Sequence, residues 1–245
     1  MPLILAHRGA NKRAPQNTIP AFKSAIEHGA DGVEFDVQMT SDGVLVICHN
    51  FTVDETSNGT GYVHEHTFEE LRALDFGSWF SDEFKGTLIP TLDETLDTVK
   101  DMTVINIEIK RPQPETKKEV VHKTIAAVRA HGLTDKVIFS SFDFETIDLI
   151  KAEDDTLKCG LLYDPEKEDC DDRGLLYGQF VKIAKAHKAD ALHPYFKLTR
   201  YPFFYTDMCH RNGIAVNVWG IGKKTAKYLE RWKKSKVDII ITDEI

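Results

Sequence analysis

Cysteine is scarce in this sequence, and so is any surplus of positive charge. Only four cysteines occur among 245 residues, Cys48, Cys159, Cys170 and Cys209, and no two stand in a CxxC spacing. A structural zinc site of the usual thiolate kind is therefore not expected. Four cysteines in a chain this long do not make a disulfide framework either, and they read as reduced, mostly buried thiols. Lys and Arg total 31 against 39 Asp and Glu, a net charge of −8. The chain thus lacks the broad basic face of a nucleic-acid binder, although a local basic pocket for a small anion stays open to it. No apolar run approaches the roughly 18 residues of a membrane helix. The opening run from Pro2 to Ala6 is short and has no basic flank, so it does not read as a signal peptide. A cytoplasmic location without stable membrane insertion is the expectation, and the oligomeric state is not readable. Internal repeats and low-complexity linkers are missing too.

What is present is a regular alternation. Apolar residues make up 42% and charged residues 29% of the chain, ordinary for a globular domain. Short β-like runs recur at Leu3–Ala6, Val33–Val37, Val104–Ile109, Val137–Ser140, Leu157–Leu162, Ala189–His193, Ile214–Val218 and Val237–Thr242. Helix-like segments lie between them, at Thr18–His28, Pro114–His131, Phe144–Asp154, Gly174–His187, Arg200–Arg211 and Lys223–Lys234. Strands alternating with helices of this length form parallel β/α units. Eight of them, in a chain close to the roughly 250 residues such a fold needs, predict a single closed (β/α)8 barrel. Thr18 is the expected N-cap of the first helix. Two places break the alternation. Val44–His49 follows Val37 too closely for a parallel crossover, so it must fold back as a hairpin through Ser41-Asp42-Gly43. That pairing brings His49 beside Phe35 and Asp36. Residues 50–103 then exceed any single crossover, and roughly residues 51–88 of them read as a small insertion over one end of the barrel, with a helix at Thr67–Leu74 and another at Thr91–Lys100 beyond it.

Side chains alternate faces along a strand. In Val33-Glu34-Phe35-Asp36-Val37 the apolar residues would face the helices, which leaves Glu34 and Asp36 projecting together into the barrel. Asn106, Glu108 and Lys110 share one face in the same way, and Asn217 and Trp219 do so more weakly. Carboxylates inside a barrel are costly unless paired or bound to metal. Glu34, Asp36 and Glu108 converging would make an all-oxygen site, which suits one divalent cation, Mg²⁺ or Ca²⁺, better than zinc or copper. His7 and Arg8 follow the first strand, at the end of a barrel where active sites lie. His7 and His49 could serve as general acid and general base near neutral pH. Arg8 and Lys110 could balance the charge of a phosphate. Anion clamps, a hard cation and a proton-transfer pair together describe phosphoryl-ester cleavage. His64, His66, His122, His131, His187 and His210 have no such context and read as surface or helix residues.

These residues, with the segments around them, resemble the glycerophosphodiester phosphodiesterase family. The resemblance rests on His7-Arg8-Gly9, Pro15-Gln16-Asn17-Thr18, Glu34-Phe35-Asp36-Val37, Ser41-Asp42-Gly43 and His49-Asn50. It continues through Ile89-Pro90-Thr91-Leu92, Asn106-Ile107-Glu108-Ile109-Lys110, Ser140-Ser141-Phe142, Val218-Trp219 and Ile241-Thr242-Asp243. Each piece is weak, but the ordered set spans nearly the whole chain. The resemblance implies a TIM barrel with an insertion after the second-strand hairpin, and a divalent cation held by Glu34, Asp36 and Glu108. It implies His7 and His49 as the acid/base pair and a substrate site with Arg8 and Lys110 near the phosphate. Phe142 and Trp219 match aromatic positions lining the family's pocket. The implied reaction releases glycerol 3-phosphate and an alcohol from a small-molecule phosphodiester. An alternative keeps the site but changes the substrate to lysophospholipid or phosphoinositol esters, with Phe76, Trp79, Phe80 and Phe84 supplying an apolar rim. The sequence departs from the family at Asn50, often Asp there, and at Gly220-Ile221-Gly222, usually Thr-Val-Asn. The pocket is expected to differ in shape at the second place. The chain also ends just past the last strand, so an outer helix there is expected to be absent or reduced.

Overall fold

A computed structural model describes residues 1–163, 177–197, 202–222 and 226–245. In chain order the strands are β1 (Leu3–His7), β2 (Gly32–Met39), β3 (Leu45–Ile47), β4 (Val104–Ile109), β5 (Val137–Ser141), β6 (Lys158–Tyr163), β7 (Ala191–Pro194), β8 (Ala215–Ile221) and β9 (Ile239–Thr242). All but β3 are parallel neighbours in a ring, and the ring closes because β1 pairs with both β2 and β9. The outer layer is α1 (Ile19–Glu27), then α3 (Leu92–Val99), α4 (Lys117–Ala130), α5 (Phe144–Glu153), α6 (Tyr177–Ala186), α7 (Pro202–Arg211) and α8 (Ala226–Lys234), while α2 (Phe68–Arg72) belongs to the segment after the hairpin. This is a (β/α)8 TIM barrel. Cys48, Cys159 and Cys209 are buried free thiols. Cys170 and the expected helix starts at Gly174, Arg200 and Lys223 lie outside the described residues.

The strand alternation sorts the interior. On β2, Val33, Phe35 and Val37 join Phe22 and Ala25 of α1 and Leu96 and Val99 of α3 in the main core, with the Phe22 and Phe35 rings edge to face at 5.6 Å. The opposite face turns inward. Leu5, Val104, Ile239 and Ile241 pack together at the lower part of the barrel interior. Further up each strand the inward residues become polar: Glu34 and Asp36, Asn106 and Glu108, Ser140, His193 and Asn217, all buried. Asn106 donates to Ser140 Oγ at 2.9 Å, and Asn217 bonds His193 Nε2 at 2.9 Å. Gly160 makes room for that imidazole, because a Cβ there would lie 2.1 Å from His193 Nε2.

The antiparallel hairpin pairs Val37 with Ile47 and Gln38 with Val46, and Cys48 N donates to Asp36 O at 3.0 Å. This extension of the ladder carries His49 to the top of β2. Beyond it, Val53, Val63, Leu71 and Phe76 form a small core with Val46, Cys48 and Ile89. Arg72 ties that segment to α3 through Glu94, at 2.7 and 2.9 Å. Phe76 is buried there, and Phe80 packs edge to face on both Trp79 and Phe84. Of the four aromatics expected to form a rim, only Trp79 is substantially exposed, so these four do not together make an apolar rim. Thr67 and Thr91 start α2 and α3 as full capping boxes with Glu70 and Glu94. Thr18 holds the N-cap position of α1 without capping it. Its hydroxyl donates to Pro15 O at 2.6 Å instead, pinning the loop after β1.

A buried lysine joins three elements on the far side of the barrel. Lys151 of α5 donates to Leu157 O at 2.6 Å and to Asp190 Oδ2 at 2.7 Å, while Asp190 also accepts from Cys159 N at 2.9 Å. Partial burial works to raise the Asp190 carboxyl, but the hydrogen bonds from Lys151, Cys159 N and Lys158 win and hold it below its ordinary value. Asp190→Ala would leave Lys151 buried without its counter-ion. We expect a loss of about 2 kcal/mol in urea unfolding at pH 7. Because the carboxyl is depressed in the folded state, its contribution is complete above the unfolded value of about 4 and is lost as pH falls below it. The gap between wild type and variant should therefore narrow from pH 5 to pH 3.

Candidate active site

The upper ends of the strands frame a cleft lined by His7, Arg8, Glu34, His49, Glu108, Phe142 and Trp219, among others. Barrel register brings them together: His7 aligns with Glu34, Glu34 with Asn106, and Asp36 with Glu108. One oxygen from each of Glu34, Asp36 and Glu108 falls within 4.8 Å of the others, and all three residues are buried. Lys110 reaches Glu108 Oε1 at 2.7 Å and Asp36 Oδ1 at 3.5 Å, and Arg8 Nε lies 3.7 Å from Asp36 Oδ2. Phe142 and Trp219 meet edge to face at 5.7 Å on another wall. Tyr195 stands behind Trp219, 4.9 Å between ring centres, and Phe196 is buried behind it in turn. A wider concavity of about 810 Å³ opens at the opposite end of the barrel, beside Leu3, Val104 and Ile239, but the carboxylate cluster is not there.

The electrostatics follow from crowding. Burial, then the neighbouring charges of Asp36 and Glu108, push the Glu34 carboxyl well above its ordinary value. Burial acts on Asp36 in the same sense, but His49, Lys110 and Arg8 outweigh it and hold that carboxyl low. Asp36 Oδ1 is nevertheless buried without a hydrogen-bond partner. Three carboxylates sharing one space, one of them forced toward the protonated form and another with an orphaned oxygen, fit a hard divalent cation. Glu34, Asp36 and Glu108 could hold one.

Each histidine is oriented by one partner. His7 Nδ1 lies 2.7 Å from Asp243 Oδ1, and Asn11 braces the same oxygen at 2.6 Å while also donating to His7 O. His49 Nδ1 lies 2.7 Å from Asn50 Oδ1, and Asn50 in turn donates to Glu55 at 2.7 Å. Both partners present acceptors, so both imidazoles carry the proton on Nδ1 and present Nε2 as the free acceptor. Burial, with Arg8 adding to it, lowers His7. Burial lowers His49 to about 3, helped by Lys110 and Arg8 and opposed by Asp36. Both rings are thus neutral around pH 7. Burial also works on Asp243, but His7 and Asn11 hold it at about 2.

Several residues of this site carry no signal in strand or helix periodicity, although Gln16, Asn17 and Asp243 fall within the segments that resemble the family. Asp243 and Asn11 become partners of His7 only when β9 closes against β1. Asn17 donates to Asp36 Oδ2 at 2.8 Å, and Gln16 accepts from Arg8 Nη1 at 2.6 Å. Both sit in the loop after β1, where Arg8 and Asn17 adopt positive φ of 58°. For Arg8 that conformation costs about 1 kcal/mol or more, and it directs the Arg8 amide to Glu34, at 2.8 Å to the carbonyl and 3.1 Å to Oε2. Gly9 follows at φ +77°, and a Cβ there would lie 2.7 Å from the Ala21 backbone. The Gly in His7-Arg8-Gly9 is therefore required by close approach to α1. His193, buried in the barrel, was absent from the residues singled out by sequence, and it joins Asn217 below the cleft.

Fold and cleft together define a TIM barrel whose strand ends gather a buried carboxylate cluster, two basic side chains and two imidazoles. Comparison with known proteins narrows this. Residues 7–245 match the glycerophosphoryl diester phosphodiesterase family. A glycerophosphodiester phosphodiesterase of Caldanaerobacter subterraneus subsp. tengcongensis is 39% identical over 99% of this chain and 94% of its own. The crystal structure of a glycerophosphodiester phosphodiesterase from Agrobacterium tumefaciens superposes with a TM-score of 0.83 at 29% identity, covering 99% of this chain and 96% of the other. An Oleispira antarctica phosphodiesterase, solved in complex with the product sn-glycerol-3-phosphate, shares the fold with a TM-score of 0.84 at 24% identity, over 99% and 93% of the two chains. The chain belongs to the glycerophosphoryl diester phosphodiesterase family and is an enzyme of that activity class. Among the described residues no helix is long and apolar enough to cross a membrane.

The carboxylate cluster predicts linkage between a divalent cation and stability. At a hundredfold excess over Kd, a bound cation should stabilise the fold by about 2.7 kcal/mol, a rise in Tm of roughly 5–10 °C. Differential scanning fluorimetry of the chelated protein with and without added cation measures it. Asp36→Asn should abolish the rise, and a rise that persists in that variant would place the cation elsewhere.

Proposed function

We propose that this chain hydrolyses glycerophosphodiesters, glycerophosphocholine and glycerophosphoethanolamine among them, to glycerol 3-phosphate and an alcohol. One Mg²⁺ or Ca²⁺ is held by Glu34, Asp36 and Glu108, and His7 and His49 are the acid/base pair. The observation carrying this reading is the pairing of a buried tricarboxylate cluster with two neutral, oriented imidazoles on one cleft. Charge supports it: a divalent cation would draw Glu34, Asp36 and Glu108 into their ionised forms, and together with Arg8 and Lys110 it would offset them and favour an anionic phosphodiester. The cation would supply Lewis-acid polarisation of the phosphoryl group.

The chain's own residues do the rest. Arg8, anchored on Gln16, and Lys110, on Glu108, stand beside the cluster to take the phosphate oxygens. His7 and His49 have Nε2 available, one to take a proton from the attacking hydroxyl or water and the other to give one to the leaving oxygen. Asp243 fixes the orientation of His7 and stabilises its imidazolium once it has accepted a proton. Phe142 and Trp219 form an apolar wall that limits water in the cleft. The glycerol 3-phosphate complex of the Oleispira antarctica relative is consistent with that product half.

Chelated enzyme incubated with glycerophosphocholine should release no glycerol 3-phosphate, and Mg²⁺ or Ca²⁺ should restore release. Absence of product under either ion would count heavily against the reading. His7→Ala should lower kcat by about 10²- to 10⁴-fold. Asp243→Ala should lower it by about 10- to 100-fold with little change in KM, and Asp243→Asn by less, because an amide oxygen can still accept from Nδ1. Equal losses in both Asp243 variants would remove the orienting role assigned to that carboxylate.

A further inference from the structure

The barrel has a second hollow at its other end. The concavity of about 810 Å³ opens between the N-terminal ends of the strands and shares no lining residue with the cleft. TIM barrels usually fill this level with bulky branched side chains. On one side Leu3, Val104, Ile138 and Ile239 follow that rule. On the other, β7 and β8 contribute alanines, and Ala191 and Ala215 stand side by side in register. Two small side chains where branched ones are usual leave the space open. Leu3 and Ile138 face it only half-buried, so the wall presents apolar surface to whatever enters.

The inner end is polar. Asn217 lies one inward step beyond Ala215, about 7 Å further along β8. It is 1% exposed and lines the concavity. Its amide nitrogen donates to His193 Nε2 at 2.9 Å, while its Oδ1 has no partner. A buried carbonyl oxygen of this kind calls for a donor. The mouth carries Lys158, Lys233 and Lys236 with Asp190 and Asp238. Asp190 is met by Lys151 as well as Lys158, at 2.7 and 3.0 Å. Asp238 accepts from Val216 N and bonds His210 Nε2, at 2.7 and 2.8 Å. Lys233 reaches Glu230 at 3.1 Å. Four lysines thus stand against three carboxylates, and among the described residues Lys236 is the one left without an ion pair.

We propose that this hollow is a binding site for a small amphiphilic organic anion. A hydroxyl or N–H at its inner end donates to Asn217 Oδ1, its apolar body lies against Leu3, Val104, Ile138 and Ile239, and its anionic group meets Lys236 at the mouth. Such an occupant touches neither the carboxylate cluster nor His7 and His49, so it is not the diester undergoing cleavage. The test is calorimetric titration of the chelated protein with 3-(4-hydroxyphenyl)propionate, which carries donor, apolar body and anion in that order. Chelation keeps a cation in the cleft from attracting the probe. 3-Phenylpropionate lacks the donor and should bind about fivefold more weakly, the usual effect of one hydrogen bond. Tyramine keeps the phenol but is cationic, and should bind more weakly by about tenfold or more. Ala215→Leu, which fills the hollow, and Lys236→Glu, a surface change, should each weaken binding of the hydroxylated anion by about fivefold or more. No binding to wild type at millimolar concentration, or equal binding of either analogue, overturns the assignment. Binding that both variants leave unchanged places the anion outside the hollow and overturns it as well.

Discussion

Three carboxylates must share one buried space at the top of this barrel, and much of the surrounding structure answers that constraint. Like charges a few ångströms apart in a poorly screened interior repel strongly. The protein meets this with two cations, a carboxyl pushed toward its neutral form and a set of donors aimed at the cluster. Arg8 takes an unfavourable backbone conformation so that its amide reaches Glu34 while its guanidinium lies near Asp36. Asn17, in the same loop and also at positive φ, donates its side-chain amide to Asp36. The arrangement still leaves Asp36 Oδ1 without a hydrogen bond, with Lys110 3.5 Å away. A site of this kind is destabilising by itself, and a cation that relieves it gains affinity from the strain it removes.

The histidines depend on the same constraint in opposite ways. Each lies close enough to feel Arg8, which favours the neutral ring, and each needs an acceptor on Nδ1 to keep Nε2 available. The acceptors are not equivalent. His7 has a carboxylate, Asp243, low in pKa and braced by Asn11. His49 has the carboxamide of Asn50, held by Glu55. A carboxylate stabilises the imidazolium more than an amide does, so the two rings are unequal proton acceptors although both are neutral in the resting site.

The legible part of this protein was whatever depends on local periodicity. Inward Glu34, Asp36 and Glu108 follow from strand alternation, and His49 follows from a hairpin too short to be anything else. The eight strands lie close to where the apolar runs put them. Contacts made by closure were not legible in that way. Asp243 is remote from His7 in sequence and meets it only because β9 pairs with β1. The loop after β1 was visible only as the segment Pro15-Gln16-Asn17-Thr18 and not as contacts, since Arg8 and Asn17 act through a left-handed backbone rather than through any face of a helix or strand. Thr18 shows the same limit on a smaller scale: the residue type predicts a cap, but its hydroxyl is drawn to Pro15 instead.

The barrel interior also explains why so polar a site is tolerated. Its lower layer is filled by Leu5, Val104, Ile239 and Ile241, apolar side chains contributed by strands from both sides of the closure. Above it Asn106–Ser140 and His193–Asn217 form paired amide, hydroxyl and imidazole contacts before the carboxylates begin. Polarity therefore rises in steps along the axis. Gly160 shows that the steps are sterically built, because the His193 ring occupies the volume its Cβ would need. His193, with its pKa lowered to about 3 by burial alone, adds no charge beneath the cluster. A neutral layer there matters: any fixed charge at that depth would act on all three carboxylates at once. The division into an apolar floor, a neutral polar layer and a charged mouth lets one small barrel hold both a core and a binding site.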